Sequence, residues 1–198
     1  MNNILDEYQT QFATYKATLL QNNDRYLVID WCSTTNDDYI NYVFDKKHSK
    51  LNINSSFGDC IASWCKSLDV PTLKSCVNNI AQFTQKITCA TDMYSYSPQN
   101  VLNDIQNTII QKSIDVLNII ETNSVWCDSL DDFWNTIKTE VYKSRCTDVF
   151  LPTDTLVKII QALDVNYYKW LYNCGKRIDD KIYLWSFGFQ IACEQLSL

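Results

Sequence analysis

The chain has 198 residues, a formal net charge of −6, nine cysteines, and only three glycines and three prolines. That length suits one or two domains, and 46% hydrophobic with 20% charged residues describes a folded protein rather than a disordered tail. Phosphate-cradling loops, dinucleotide fingerprints, tight hairpins and jelly rolls draw on glycine for positive φ or close backbone approach, so the glycine shortage counts against all of them.

Charge and composition narrow the partners. A nucleic-acid binder needs clustered Lys and Arg, and the arginines here are three: Arg25, Arg145 and Arg177. The densest basic run, Lys46-Lys47-His48-Ser49-Lys50, reads as a solvated helix end or loop, so no nucleic acid is expected. No stretch approaches the ~18 consecutive apolar residues of a membrane span. Residues 1–7 carry neither the basic nor the apolar region of a secretory signal. The expectation is a cytoplasmic protein in a reducing compartment. Cys32, Cys60, Cys65, Cys76, Cys89, Cys127, Cys146, Cys174 and Cys193 are scattered and form no C-x-x-C pair, which points to reduced, buried thiols acting as small hydrophobes. The single sequon, Asn54-Ser55-Ser56, is too short a pattern to shift that balance. His48 is the one histidine, which removes multi-histidine metal sites. Gly, Ala, Pro and Arg are scarce while Asn, Ile, Asp, Lys and Tyr are plentiful, the bias expected of an AT-rich genome, whether viral or protist.

In chain order, apolar residues three and four apart recur. Leu5, Tyr8, Phe12, Tyr15 and Leu19 predict a helix over 3–21. Tyr26-Leu27-Val28-Ile29 is the best strand candidate, and Tyr39, Ile40, Val43 and Phe44 predict a short helix near 36–47. Phe57, Ile61, Trp64 and Leu68 form the next stripe. Asp69 and Pro71 open a helix through Leu73, Cys76 or Val77, Ile80, Phe83 or Thr84, and Ile87. After a polar break at 91–97, Ser97 and Pro98 start the longest helix, about 98–122, along Leu102, Ile105, Ile109, Val116 and Ile120. Ser129 caps a helix through Phe133, Trp134, Ile137 and Val141. Pro152 to Asp154 open another through Leu163, continued by Tyr167, Tyr168 and Leu171 to Gly175, read as a left-handed cap. A last helix runs from about Asp179 to Leu196. The predicted class is all-α: an irregular bundle of eight to nine helices in one domain, 1–198, with a possible subdomain break at 91–97.

Two acidic segments, Asp37-Asp38-Tyr39-Ile40-Asn41 and Asp131-Asp132-Phe133-Trp134-Asn135, share the pattern D-D-x-x-N. On a helix the first Asp and the Asn share a face, so Asp37, Asp38, Asp131 and Asp132 define an alternative reading as a Mg²⁺-dependent helical enzyme acting on a phosphorylated or diphosphate substrate. Paired aspartates at helix starts are also what capping and the helix dipole require. The aromatic runs at 167–172 and 185–189 exceed what one core face can bury. Tyr168, Trp170, Tyr172, Trp185 and Phe187 are therefore the candidate partner surface. The leading expectation is a non-enzymatic interaction module without cofactor, binding a protein partner or a second copy of itself.

Overall fold

The computed structural model describes residues 12–35, 37–122 and 128–198, the side chains of 119 and 122 excepted. They belong to two compact units: residues 1–93 with 179–198, and residues 94–178.

The first unit is built on strands. Leu27, Ile29 and Trp31 are buried in β2 (Tyr26–Cys32), Ile40, Tyr42 and Phe44 in β3 (Tyr39–Asp45), and Leu51 and Ile53 in β4 (Lys50–Ser55). Burial at every second residue is the signature of a pleated strand with one covered face. With β1 (Lys16–Asn22), β5 (Cys60–Ser63) and β6 (Ile87–Ala90) they form a six-stranded antiparallel sheet in the order β1-β2-β3-β4-β5-β6. The all-α bundle is thereby corrected to a mixed α and β protein. Residues 16–21, 39–45 and 60–63, expected in helices, lie in strands.

The hairpins also correct the argument from missing glycine. Asn23 Oδ1 accepts from the Arg25 and Tyr26 amides at 2.9 and 2.7 Å. Asp45 Oδ1 accepts from the Lys47 and His48 amides at 3.0 and 3.1 Å, and Ser49 takes φ +48°. Side-chain oxygens thus shape turns that glycine often makes. The lone histidine lies in one of these turns, with Nδ1 2.8 Å from Asp45 Oδ2.

Three helices stand among the described residues of this unit: α1 (Val70–Asn78), capped by Asp69 accepting from the Thr72 amide, α2 (Ile80–Lys86), capped by Asn79, and the later α7 (Asp180–Gln195), capped by Asp179. Helix α7 buries Ile182, Leu184, Trp185, Ser186, Gly188, Phe189, Ala192 and Cys193, more than one stripe, because it has neighbours on two sides. Toward the sheet, the Tyr42 hydroxyl donates to the Trp185 carbonyl at 2.9 Å and Trp185 Nε1 donates to Ser55 Oγ at 3.1 Å. Toward α1, Ser186 Oγ donates to the Val77 carbonyl at 2.8 Å.

The second unit is largely helical. It contains α3 (Pro98–Gln111), α4 (Val116–Thr122), α5 (Leu130–Lys143) and α6 (Asp154–Leu163), with Ser97, Ser129 and Thr153 as the side-chain caps of α3, α5 and α6. The long helix expected over 98–122 is interrupted after Gln111, where Ser113 adopts φ +52°. Two ribbons pair β7 (Tyr94–Tyr96) with β10 (Lys176–Ile178) and β8 (Arg145–Cys146) with β9 (Phe150–Leu151). Val101, Ile105, Ile137, Val141, Leu156, Ile160 and Leu171 centre the core. Residues 167–173, read as a continuation of α6, are two short 3-10 turns, Tyr167–Lys169 and Leu171–Asn173. No helix among the described residues is long and apolar enough to cross a membrane.

Candidate functional site

The segment from Asp164 to Arg177 lies over α3 and is fastened at two points. At one end, Asp164 Oδ2 accepts from Lys112 Nζ and, at 2.9 Å, from Trp170 Nε1, while its other oxygen accepts from the Asn166 amide at 2.8 Å. Lys112 Nζ also stands 5.5 Å from the centroid of the Trp170 ring. The Lys112 ammonium, then the indole N–H, hold the Asp164 carboxyl down to about 2, against 3.8 ordinarily. At the other end, Arg177 donates to both oxygens of Asp104, at 2.9 and 2.8 Å, and the Gly175 amide donates to Oδ2 at 2.7 Å. The Arg177 guanidinium holds the Asp104 carboxyl below its usual range. Gly175 is needed here: its φ is +78°, and a Cβ would meet Val101.

Between the fastenings the segment sends some side chains into the core and others outward. Leu171 and Cys174 go into the core, where burial raises the Cys174 thiol to about 12. Val165, Tyr168 and Tyr172 go outward, 76%, 58% and 43% exposed. Trp170 is half-buried. Lys169 Nζ lies 5.8 Å from the Tyr168 ring centroid. Beside this display runs a groove of about 370 Å³ lined by Asp104, Asn107, Thr108 and Gln111 of α3 and by Lys169, Trp170, Asn173 and Cys174.

The residues singled out from sequence are thus divided. Tyr168, Trp170 and Tyr172 lie together on the second unit. Trp185 is fully buried in the first, and Phe187, partly buried, has its ring centroid 6.3 Å from that of Tyr183. The acidic motifs do not share one cause. Asp131 and Asp132 occupy the first turn of α5, where Ser129 Oγ accepts from the Asp132 amide at 3.1 Å. Asp37 and Asp38 lie in the loop before β3, so Asp37 and Asn41 share no helix face. Among the described residues no group of three or more His, Cys, Asp or Glu side chains is placed to hold a metal ion.

Sequence reasoning missed the polar wall of α3. Its signal was present: Asp104, Thr108 and Gln111 repeat at helical spacing, as do the buried Val101, Ile105 and Ile109. Compared with protein-family models, curated proteins and solved structures, the chain finds no match.

Proposed function

We propose that the protein is a binding module that holds a protein partner through the surface of its second unit around Tyr168 and Tyr172. One observation carries this reading: two tyrosines and Val165 are held outward by a short segment whose intervening residues are pinned from below. Tyrosine on a fixed support loses little conformational freedom on binding while covering large area with a polar tip. Aromatic anchors of this kind dominate interface energetics. The net charge of −6 supports a protein rather than a nucleic acid as partner. A reducing, cytoplasmic setting goes with this reading, supported by the Cys60, Cys174 and Cys193 thiols, which fill core positions and which burial raises to about 12, 12 and 11.

The test is affinity purification of the full chain from its native host, alongside a Tyr168→Ala/Tyr172→Ala variant. The expected result is loss of the co-purifying proteins, or of self-association, with an unfolding midpoint within about 2 °C of the parent. Retention of the same partners by the variant overturns the reading.

A further inference from the structure

The groove beside the tyrosines contains hydrogen-bonding capacity that the fold does not use. Asp104 is occupied by Arg177 and Gly175, Thr108 Oγ donates back to the Asp104 carbonyl at 2.7 Å, and Trp170 Nε1 is held by Asp164. The carboxamides of Asn107, Gln111 and Asn173, by contrast, make no side-chain hydrogen bond with any described residue, and Lys169 has no carboxylate partner among them. Asn107 and Gln111 are four residues apart on α3, so their stems are about 6 Å apart along the axis at a rise of ~1.5 Å per residue. An extended chain presents equivalent main-chain groups on one side every two residues, about 6.6 Å apart. Each carboxamide offers one carbonyl and an NH₂, the complement of a peptide N–H and C=O.

We propose that this groove takes a stretch of the partner's chain in extended form, with Asn107 and Gln111 bonded to its main chain and an acidic side chain opposite Lys169. This rests on the reading of the protein as a protein-binding module and names the chemistry of the segment bound. The match of spacings favours a peptide over a glycan.

The probe is a library of random heptapeptides displayed on phage, selected on the immobilised full chain. The strongest selected peptide is then synthesised with a fluorophore and titrated by anisotropy. Selected peptides are expected to be enriched in Asp and Glu. Asn107→Ala/Gln111→Ala weakens the synthetic peptide at least about tenfold, with an unchanged unfolding midpoint, and Lys169→Glu removes the acidic preference. Failure to enrich any peptide, enrichment without acidic residues, or equal binding by the Asn107→Ala/Gln111→Ala variant overturns the proposal. So does saturable binding of labelled chitohexaose with no peptide selected. If the tyrosine double variant loses its partners while Asn107→Ala/Gln111→Ala keeps them, the groove proposal fails and the binding-module reading stands. If both variants keep them, both fail.

Discussion

Asp104 and Arg177, 73 residues apart in the chain, form a two-pronged ion pair, and the same carboxylate accepts the amide of Gly175. The two contacts differ in worth. The Arg177 side chain is 46% exposed, so its pair is weakened by solvent and contributes about 1 kcal/mol or less. The Gly175 amide is buried, and loss of its acceptor leaves an orphaned donor at about 1–3 kcal/mol. Asp104→Ala should therefore destabilise the chain more than Arg177→Met does. Urea unfolding of the two variants checks the order, and the reverse order would refute this division.

Ser97 and Ser129 are legible in the sequence as caps, and Asp69, Thr153 and Asp179 as residues at helix starts; each accepts from an amide there. Capping is local chemistry, complete within four residues. The sheet was misread for an equally local reason. Ile40 and Phe44 are four apart, a spacing that returns to the same face both in a helix and in a strand. The burial of Tyr42 and the exposure of Tyr39 separate the two, and a tyrosine in sequence does not declare its side. In 60–63 the helical spacing points to Ile61, whereas Cys60 and Ala62 are the fully covered pair. At the candidate site, the aromatic excess at 168–172 was visible as composition. The fastenings by Lys112 and Asp104 were not, because each joins residues more than fifty positions apart.

Acid should act on the second unit through Asp164. Its carboxyl titrates at about 2 in the folded chain against 3.8 ordinarily, with the Lys112 contact as the largest cause. A group lowered by folding contributes stability above its unfolded value and loses it as pH falls through the folded one. The contribution is thus complete above about pH 4 and fades toward pH 2. Asp164→Asn should be less stable than the parent at pH 6, with the difference shrinking as the two are compared at pH 3 and pH 2. A difference that stays constant over that range would show that the charge of Asp164 is not what stabilises the fold.

The glycines should rank by what a methyl group would meet. At Gly188 it would come within 2.5 Å of both the Trp31 ring and the Tyr42 hydroxyl, in a region where both side chains are buried. Trp31 cannot retreat, since the Phe12 and Tyr15 rings have their centroids 4.6 and 4.8 Å from its own. At Gly175 it would meet Val101 and also carry the strain of φ +78°. At Gly58, φ is +112° but the nearest atom is 3.5 Å away. Gly188→Ala and Gly175→Ala should each cost about 3 kcal/mol, and Gly58→Ala about 1–2 kcal/mol from backbone strain alone. Thermal unfolding of the three variants gives the ranking, and a Gly58→Ala cost above the other two contradicts it.

Ser55 and Trp185 make the last case, in the core of the first unit. Ser55 Oγ accepts from Trp185 Nε1 at 3.1 Å and from the Phe57 amide at 3.2 Å, and donates to the Gly58 carbonyl at 2.6 Å. Ser55→Ala removes only one oxygen but strands a buried indole N–H, which costs about 1–3 kcal/mol. Trp185→Phe removes the donor and leaves a void, with a cost of similar or larger size. In the double variant there is no indole N–H left to strand, so the Ser55→Ala penalty should be partly relieved. The double variant is therefore expected to be less destabilised than the sum of the two single ones by about 1 kcal/mol. Strict additivity in a urea-unfolding cycle would mean that this hydrogen bond contributes nothing to holding α7 against the sheet.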